Sequence, residues 1–278
     1  MDLKSKIILI SGPTASGKSN FAIKVAKKID GEIINADSMQ VYKQLKILSA
    51  RPDEKKYKKI RHHLYGFHEV TKNFSTGDWL KLVIKKIKEV KRRKKIPIIV
   101  GGTGLYFNTI TKGLSKIPNI DLKTRKKTRE LFNEMGPQKF YKMLVSMDTK
   151  ALNKVVPTDS QRVQRAYEVF IKTKKSFFDW TKNTQSDFVN YDIKKIFLQI
   201  PREELLKKIS KRTTKMFEDR KCIDEVVKFN SLNINKSLSA NKLIGVQEIN
   251  NYLKGLMSIN QCIELINIKT RQYAKRQN

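Results

Sequence analysis

Residues Gly12 to Ser19 read G-P-T-A-S-G-K-S and directly follow the apolar run Ile7–Ile10. They match the phosphate-loop pattern G-x-x-x-x-G-K-[ST], in which a buried strand leads through a glycine-rich loop into a helix. The backbone N–H groups of such a loop and the positive end of the helix bind a polyphosphate. We therefore expect Lys18 to neutralise phosphate oxygens and the Ser19 hydroxyl to bind Mg²⁺. The alternative is a strand-to-helix turn that merely contains two glycines.

Strand and helix patterns alternate through the first hundred residues. The predicted strands are Lys6–Ile10, Glu32–Ala36, a weaker Leu64–Phe67, and Ile96–Val100. Helical patterns cover Ser19–Lys28 and Asp78–Lys94. Short apolar strands alternating with helices predict an α/β fold with a parallel, doubly wound sheet. Ligands bind beyond the carboxyl ends of the strands in such a sheet.

The chain changes character between residues 113 and 191, where it is basic, helical in pattern and poor in strand signals. A strand pattern returns at Ile196–Ile200, and helical patterns follow at 202–218, 223–229, 247–253 and 259–276. The simplest interpretation is an all-helical insertion. We therefore predict a P-loop α/β core from residues 1–112 and 192–278, with a helical insertion domain at 113–191.

The net charge is the outlying bulk property of the chain. It has 59 Lys and Arg against 26 Asp and Glu, which gives +33 at pH 7. Such an excess indicates a polyanionic partner, and nucleic acid is the usual one. AT-rich coding bias is the alternative, because it also enriches Lys, Ile and Asn.

The cysteine count and the lack of targeting signals predict a cytoplasmic protein. Cys222 and Cys262 lie 40 residues apart without metal-ligand spacing, so we expect reduced thiols. The N-terminal apolar run is too short for a signal peptide or a membrane span. His62, His63 and His68 lack a completing Cys or carboxylate, and we expect them to serve packing or hydrogen bonding.

Asp37 follows a predicted strand, so its carboxylate should face the phosphate loop. It could bind Mg²⁺, act as a general base, or cap the next turn, since Asp followed by Ser is common turn chemistry. The fourth strand ends in Val100-Gly101-Gly102 and lacks the Asp that P-loop ATPases use to hold Mg²⁺. This ending argues against ordinary nucleotide hydrolysis.

Arg212 interrupts an apolar helical stripe. Leu205, Ile209, Arg212 and Met216 fall on one face of the predicted helix, so the guanidinium should point inward. A phosphate chain at the strand ends would satisfy it. A salt bridge to a core carboxylate is the alternative.

Arg162 and Arg165 stand three positions apart on a helix that Asp159 or Ser160 would cap. Two arginines and two glutamines on one exposed face suit nucleic acid. A face that is simply solvated fits the pattern nearly as well.

Seven segments together resemble the tRNA dimethylallyltransferase (tRNA isopentenyltransferase) family almost from end to end. They are G-P-T-A-S-G-K-S at 12–19, A-D-S-M-Q-V-Y at 36–42, S-A-R-P at 49–52, H-H-L at 62–64, V-G-G-T-G-L-Y at 100–106, D-S-Q-R-V-Q-R-A-Y-E-V at 159–169 and T-R-Q-Y-A-K-R-Q at 270–277.

The resemblance implies transfer of a dimethylallyl group from dimethylallyl diphosphate, assisted by Mg²⁺. The acceptor would be the N6 amine of the adenosine immediately 3′ of the anticodon, in tRNAs that read codons beginning with U. It further implies that Asp37 is the general base, that Thr103 helps to position the amine, and that the insertion binds the tRNA anticodon stem-loop. A monomer is the default expectation.

The remaining site residues are also carried over from the family. The diphosphate-binding residues would be Gly12, Thr14, Ala15, Ser16, Gly17, Lys18, Ser19 and Arg212. The tRNA-binding residues would be Asp37, Ser38, Met39, Gln40, Thr103, Arg125, Gln161, Arg162, Val163, Gln164 and Arg165. Two other functions remain open from the residues alone. One is a P-loop small-molecule or nucleotide kinase that uses ATP, and the other is an RNA-binding protein without catalysis.

Overall fold

The computed structural model describes residues 6–53 and 60–278. Five strands in this part of the chain form one sheet: β1 (Lys6–Ser11), β2 (Gly31–Asn35), β3 (His62–His63), β4 (Ile96–Val100) and β5 (Asp192–Phe197). Their order is β3-β2-β4-β1-β5, and every pair is parallel. The carboxyl ends of β1, β2 and β4 therefore meet at one edge of the sheet.

The helices connect and follow these strands. They are α1 (Lys18–Ile29), α2 (Thr76–Arg92), α3 (Gly104–Lys112), α4 (Leu122–Met147), α5 (Ser160–Thr173), α6 (Phe177–Lys182), α7 (Arg202–Phe217), α8 (Lys221–Asn230), α9 (Val246–Leu253) and α10 (Ile259–Lys275). The chain divides into two compact units. We call Met1–Phe107 with Asn190–Asn278 the core unit and Asn108–Val189 the insertion unit.

The core unit buries both faces of its sheet. Ile8 and Ile10 of β1 pack with Ala22 and Ala26 of α1 in one apolar cluster. Because side chains alternate along a strand, the fully buried Ile7 points to the opposite face. Helix α2 packs its own buried stripe against β2 and β4. The predicted α/β fold with a doubly wound parallel sheet is confirmed.

Two strand predictions were wrong in position. The weaker strand was expected at Leu64–Phe67, but β3 is His62–His63, paired with Ile33 and Ile34 of β2. Leu64 has a φ of 63°, which takes the backbone out of the extended conformation and ends the strand.

The last strand was expected at Ile196–Ile200 and lies at Asp192–Phe197 instead. It pairs on one side only, with β1, from Lys6↔Asp192 to Ser11↔Phe197. An exposed edge strand needs no continuous apolar run. The apolar residues that suggested a strand instead lie partly at the end of β5 and partly in the segment between β5 and α7.

Helix α2 begins two residues earlier than the predicted Asp78. Ser75 Oγ accepts a hydrogen bond from Asp78 N, and Asp78 Oδ2 accepts one from Ser75 N, both at 3.1 Å. This reciprocal capping box satisfies N–H groups that the first turn leaves without partners. Asp78 is therefore the third residue of the helix.

The insertion unit is helical and has its own apolar core. Its longest helix, α4, is interrupted at Gly136, where φ is 73° and Pro137 follows. Phe140 and Leu144 of α4 pack against Val163 of α5 in a buried cluster. An all-helical insertion is the architecture that the sequence predicted.

Candidate active site

The predicted phosphate loop joins β1 to α1 in the core unit. Its backbone has positive φ angles at Gly12 (144°), Ala15 (64°) and Gly17 (89°). A Cβ atom on Gly12 would lie 2.6 Å from the carbonyl oxygen of Leu198, so this position requires glycine. The loop ends on the first turn of α1, whose N–H groups lack acceptors within the helix and suit an anion.

Arg212 reaches this loop from α7. Its Nη1 atom donates a 2.7 Å hydrogen bond to Thr14 Oγ1. Its Nε atom is buried and has no partner within residues 6–53 and 60–278. Burial lowers the pKa of the guanidinium, an effect that a bound anion would oppose. In the loop itself, the buried Ser16 Oγ also finds no partner within the same ranges. Unsatisfied buried groups of this kind fit a phosphate chain.

Lys18 folds back over the loop. Its Nζ atom donates a 2.5 Å hydrogen bond to the carbonyl oxygen of Pro13. Burial lowers the pKa of the Lys18 amine to about 8, with Asp37 opposing this shift and Arg212 adding to it. An anion in the loop would restore the ordinary pKa, since it stabilises the charged amine.

Asp37 follows β2 and accepts hydrogen bonds through Oδ1 from the backbone N–H of Met39 (2.9 Å) and Gln40 (3.4 Å). It therefore caps the turn, as the alternative interpretation proposed. Burial nevertheless raises the pKa of its carboxyl, although those backbone bonds, Lys18 and Arg212 all lower it. Capping uses Oδ1 alone, so a proton-accepting role for the carboxylate remains compatible with it.

Asn35 holds the backbone of Asp37 in place. Its Oδ1 accepts from Asp37 N at 2.9 Å, and its Nδ2 donates to Asp37 O at 3.0 Å and to Leu64 O at 2.9 Å. The Asn35 side chain is fully buried, and its own carbonyl oxygen accepts from Trp79 Nε1. The strand end that carries Asp37 is thus rigidly supported.

Thr103 joins the carboxyl ends of β2 and β4. Its Oγ1 accepts a hydrogen bond from Ser38 N at 2.9 Å, and its N–H donates to Ala36 O at 3.2 Å. A Cβ atom on Gly101 would lie 2.1 Å from Ala36 O, which explains why glycine precedes this contact. Thr103 is therefore tied to the segment that begins with Asp37.

A cavity of about 380 Å³ lies over these strand ends. Six of the predicted diphosphate-binding residues line it: Thr14, Ala15, Gly17, Lys18, Ser19 and Arg212. Asp37 and Gln40, from the predicted tRNA-binding group, line it as well. The fold thus places the phosphate loop and the candidate base around one cavity.

A larger cavity of about 810 Å³ lies beside α7 and α10 and contains none of the predicted site residues. Ile200, Leu205 and Ile209 supply part of its apolar lining. Size alone is therefore a poor guide to the site, and the convergence of charged groups on the smaller cavity is the better one.

Several lining residues of the smaller cavity were missed by sequence reasoning, among them Tyr65, Lys208 and Gln277. Gln277 stands in the A-K-R-Q segment near the end of the chain, and no local pattern connects it to the phosphate loop. Lys208 is one of many lysines in a basic helix. Tyr65 enters the site only because β3 ends before it.

The predicted tRNA contacts of the insertion unit lie on α4 and α5. Arg125 is half-buried, and its Nε has no partner within the described residues. On α5, Gln161 and Arg162 are exposed, whereas Gln164 and Arg165 are half-buried. Arg165 Nη1 pairs with Glu168 Oε2 at 3.1 Å.

Val163 differs in burial from the other predicted tRNA contacts on α5. Its side chain is fully buried in the core of the insertion unit, beside Phe140 and Leu144. The expectation that Val163 contacts tRNA is therefore corrected for its side chain. Its physical role is to fix the helix face that carries Arg162.

The three histidines have hydrogen-bond partners in the core unit: His62 Nδ1 with Ile60 O, His63 Nε2 with Glu32 Oε2, and His68 Nε2 with Lys72 O. Cys222 and Cys262 are free and buried, and burial raises their thiol pKa values to about 12 and about 11. Within the described ranges, none of the helices has the length and apolarity needed to cross a membrane.

Comparison with known proteins gives a consistent picture. A family model described as IPP transferase matches residues 40–278. A tRNA dimethylallyltransferase of Pelagibacter ubique is 54% identical over 277 residues, which cover 100% of this chain and 88% of the relative.

Two solved structures resemble the chain over 98% of its length. A eukaryotic dimethylallyltransferase acting on tRNA superposes with a TM-score of 0.83 at 30% identity, over 69% of its own chain. A full-length tRNA isopentenylpyrophosphate transferase of Bacillus halodurans superposes with a TM-score of 0.69 at 31% identity, over 85% of its chain.

Proposed function

The chain belongs to the IPP transferase family, and from this premise we propose the reaction that it catalyses. It transfers the dimethylallyl group of dimethylallyl diphosphate to the N6 amine of the adenosine immediately 3′ of the anticodon, in tRNAs that read codons beginning with U. The single observation that carries the proposal is the cavity that brings the phosphate loop, Arg212 and Asp37 together. The named relatives favour this reaction over a P-loop kinase.

The phosphate loop holds the diphosphate as the leaving group. An adenine amine is a poor nucleophile because its lone pair is delocalised into the ring. The allylic donor compensates when its bond to the diphosphate breaks early, provided that the departing charge is stabilised. Lys18, Arg212 and the first N–H groups of α1 supply that stabilisation. Arg212 Nε and Ser16 Oγ, which find no partner in the described part of the chain, support this assignment.

Asp37 takes the proton of the attacking amine. The new N–C bond forms, the C–O bond to the diphosphate breaks, and the amine proton passes to the carboxylate. Burial raises the pKa of Asp37, which makes it a stronger base than a solvated aspartate. Thr103, tied to Ser38, positions the amine beside it.

Ser19 is the protein group proposed to bind Mg²⁺. Within residues 6–53 and 60–278, no cluster of three or more His, Cys, Asp or Glu could hold a metal. This suits Mg²⁺, which is commonly held by one or two protein groups together with substrate phosphates and water. When bound, the ion neutralises charge on the diphosphate oxygens. Ser19 lines the cavity where those oxygens would lie.

The insertion unit supplies the tRNA contacts in this proposal, through Arg125 on α4 and the polar face of α5. The target base must leave its stack to reach the cavity, which costs a few kcal/mol. Contacts to the RNA backbone offset that cost, and a chain of net charge +33 can make them. We propose that the protein acts as a monomer in the cytoplasm.

The deciding experiment offers two donors to one acceptor. An anticodon stem-loop is incubated with Mg²⁺ and either labelled dimethylallyl diphosphate or labelled ATP. We expect label to enter the RNA only from the isoprenoid donor. Phosphate transfer from ATP would support a kinase, and RNA binding without any transfer would support a non-catalytic binding protein.

We predict a bell-shaped pH profile of kcat/KM for the donor, which reports ionisations of the free protein. Activity rises with pH as Asp37 loses its proton, and the raised pKa places this limb above the range of an ordinary aspartate. Activity falls as pH increases through about 8, because Lys18 then loses the charge that binds the diphosphate. Initial rates across both limbs test this. Lys18→Met should remove the alkaline limb, and a limb that persists in that variant would contradict the assignment.

We also predict a steep salt dependence of tRNA affinity. Binding releases condensed counterions from the RNA, so a rise in salt concentration weakens it. If the protein neutralises about six to ten phosphates, its affinity should fall by about 10³–10⁵-fold between about 50 and 200 mM salt. Fluorescence anisotropy of a labelled stem-loop measures this. Arg162→Ala should reduce the slope of log affinity against log salt by about 1. A flat salt profile would exclude binding dominated by the RNA backbone.

A further inference from the structure

Gln277 connects two loops of the candidate active site from the end of the chain. It follows α10, and its Oε1 accepts a 2.7 Å hydrogen bond from the backbone N–H of Thr14. Its Nε2 donates a 2.8 Å bond to the carbonyl oxygen of Gly102. Both ends of the side-chain amide are therefore held, and the side chain lines the cavity with Lys18 and Arg212.

The backbone donor of Thr14 is consequently in use. Its N–H group is bonded to Gln277, and its hydroxyl oxygen accepts from Arg212 at 2.7 Å. A phosphate oxygen could accept a hydrogen bond from the Thr14 N–H only after Gln277 moves away. The backbone donor at the Thr14 end of the loop is thus occupied, whereas the first N–H groups of α1, at the other end, lack acceptors within the helix.

We propose that Gln277 is a specificity-determining residue that restricts the phosphate loop to two phosphates. The inference rests on the proposed use of the loop for the diphosphate of the donor. Two phosphates fill the space over the first turn of α1, near Lys18. A third phosphate would extend along the loop toward Thr14, where the backbone N–H that would receive it is already bonded to Gln277. A loop that matches the pattern of ATP-binding proteins is thereby reserved for a diphosphate.

Gly102 provides an independent way to disturb the same contact. A Cβ atom at Gly102 would lie 2.1 Å from Gln277 Nε2 and 3.1 Å from its Cδ. Both atoms belong to a flexible side chain, so the added methyl group would displace Gln277 rather than the backbone. Gly102→Ala should therefore reproduce the effect of Gln277→Ala without altering Gln277 itself.

The test compares the binding of inorganic diphosphate and inorganic triphosphate, with Mg²⁺, by titration calorimetry on the full chain. The measured quantity is the affinity for triphosphate relative to diphosphate. We expect this ratio to increase at least about tenfold in Gln277→Ala and in Gly102→Ala, which corresponds to about 1.4 kcal/mol. The double variant should show no further increase, because both substitutions remove the same contact.

Gln272→Ala is the matched control, since Gln272 lies on α10 and is exposed. Its ratio should equal that of the unaltered protein, and thermal unfolding checks that each variant is folded. If Gln277→Ala fails to fold, Gly102→Ala decides the question. An unchanged ratio in a folded variant that still binds diphosphate would overturn the role proposed for Gln277 but not the proposed function. Failure of the unaltered protein to bind diphosphate overturns the proposed function, and this inference with it.

Discussion

Asp37→Asn is expected to lower kcat for prenyl transfer by about 10²–10⁴-fold, while the affinity for the anticodon stem-loop stays unchanged. The asparagine retains an oxygen that can accept from Met39 N, so the turn after β2 keeps its cap. What it loses is the ability to take a proton from the amine. Single-turnover transfer from labelled dimethylallyl diphosphate measures the rate, and anisotropy measures the RNA affinity.

Asp30→Asn is the matched control for this variant. Asp30 is exposed at the end of α1, in a left-handed conformation that asparagine also tolerates. It should transfer at the rate of the unaltered protein. Full activity in Asp37→Asn would remove Asp37 from the role of general base, and the capping of Met39 would then be its only function.

Arg212→Met is expected to lower kcat by about 10²–10³-fold, the effect typical of removing one preorganised donor to a developing negative charge. Methionine fills similar space along the apolar face of α7 but supplies no charge and no hydrogen bond to Thr14 Oγ1. Because the charge on the diphosphate grows as the C–O bond breaks, the loss should be larger in kcat than in donor binding.

The control for Arg212→Met is Arg202→Met on the same helix. Arg202 is exposed at the start of α7 and does not line the cavity of the phosphate loop. Its kcat should match that of the unaltered protein. If Arg212→Met reduced donor affinity alone and left kcat intact, Arg212 would serve binding of the ground state and not stabilisation of the leaving group.

The phosphate loop could be predicted because all of its determinants are local. A buried strand, two glycines and an amphipathic helix follow one another within about two dozen residues, and no distant residue is needed to read them. The approach of Asp37 and Thr103 followed from one further rule: the carboxyl ends of parallel strands meet at the same edge of a sheet. The hydrogen bond between Thr103 Oγ1 and Ser38 N, across 65 positions of sequence, is what that rule produces.

Strand boundaries were harder to predict from the sequence, because pairing with neighbouring strands determines them more than amino-acid composition does. β3 is a pair of histidines held by β2, and the apolar Leu64 after them turns away with a positive φ. β5 is an edge strand in which every residue is exposed or half-buried, so hydrophobicity carried little signal there. Val163 was taken for a tRNA contact through its motif, whereas its burial beside Phe140 follows from the packing of α4 on α5.

The sequence by itself determined a phosphate-loop pattern after the first strand, a carboxylate at the end of the next strand, and a basic helical insertion. Only the tertiary structure decided what closes the loop: Gln277 reaches Thr14 across 263 positions. Local patterns report contacts between neighbours in the chain, whereas this contact depends on where α10 ends in space. The physical reason is that a side-chain amide can hydrogen-bond to any loop beside which tertiary packing places it. The periodicity of the sequence contains no information about that placement.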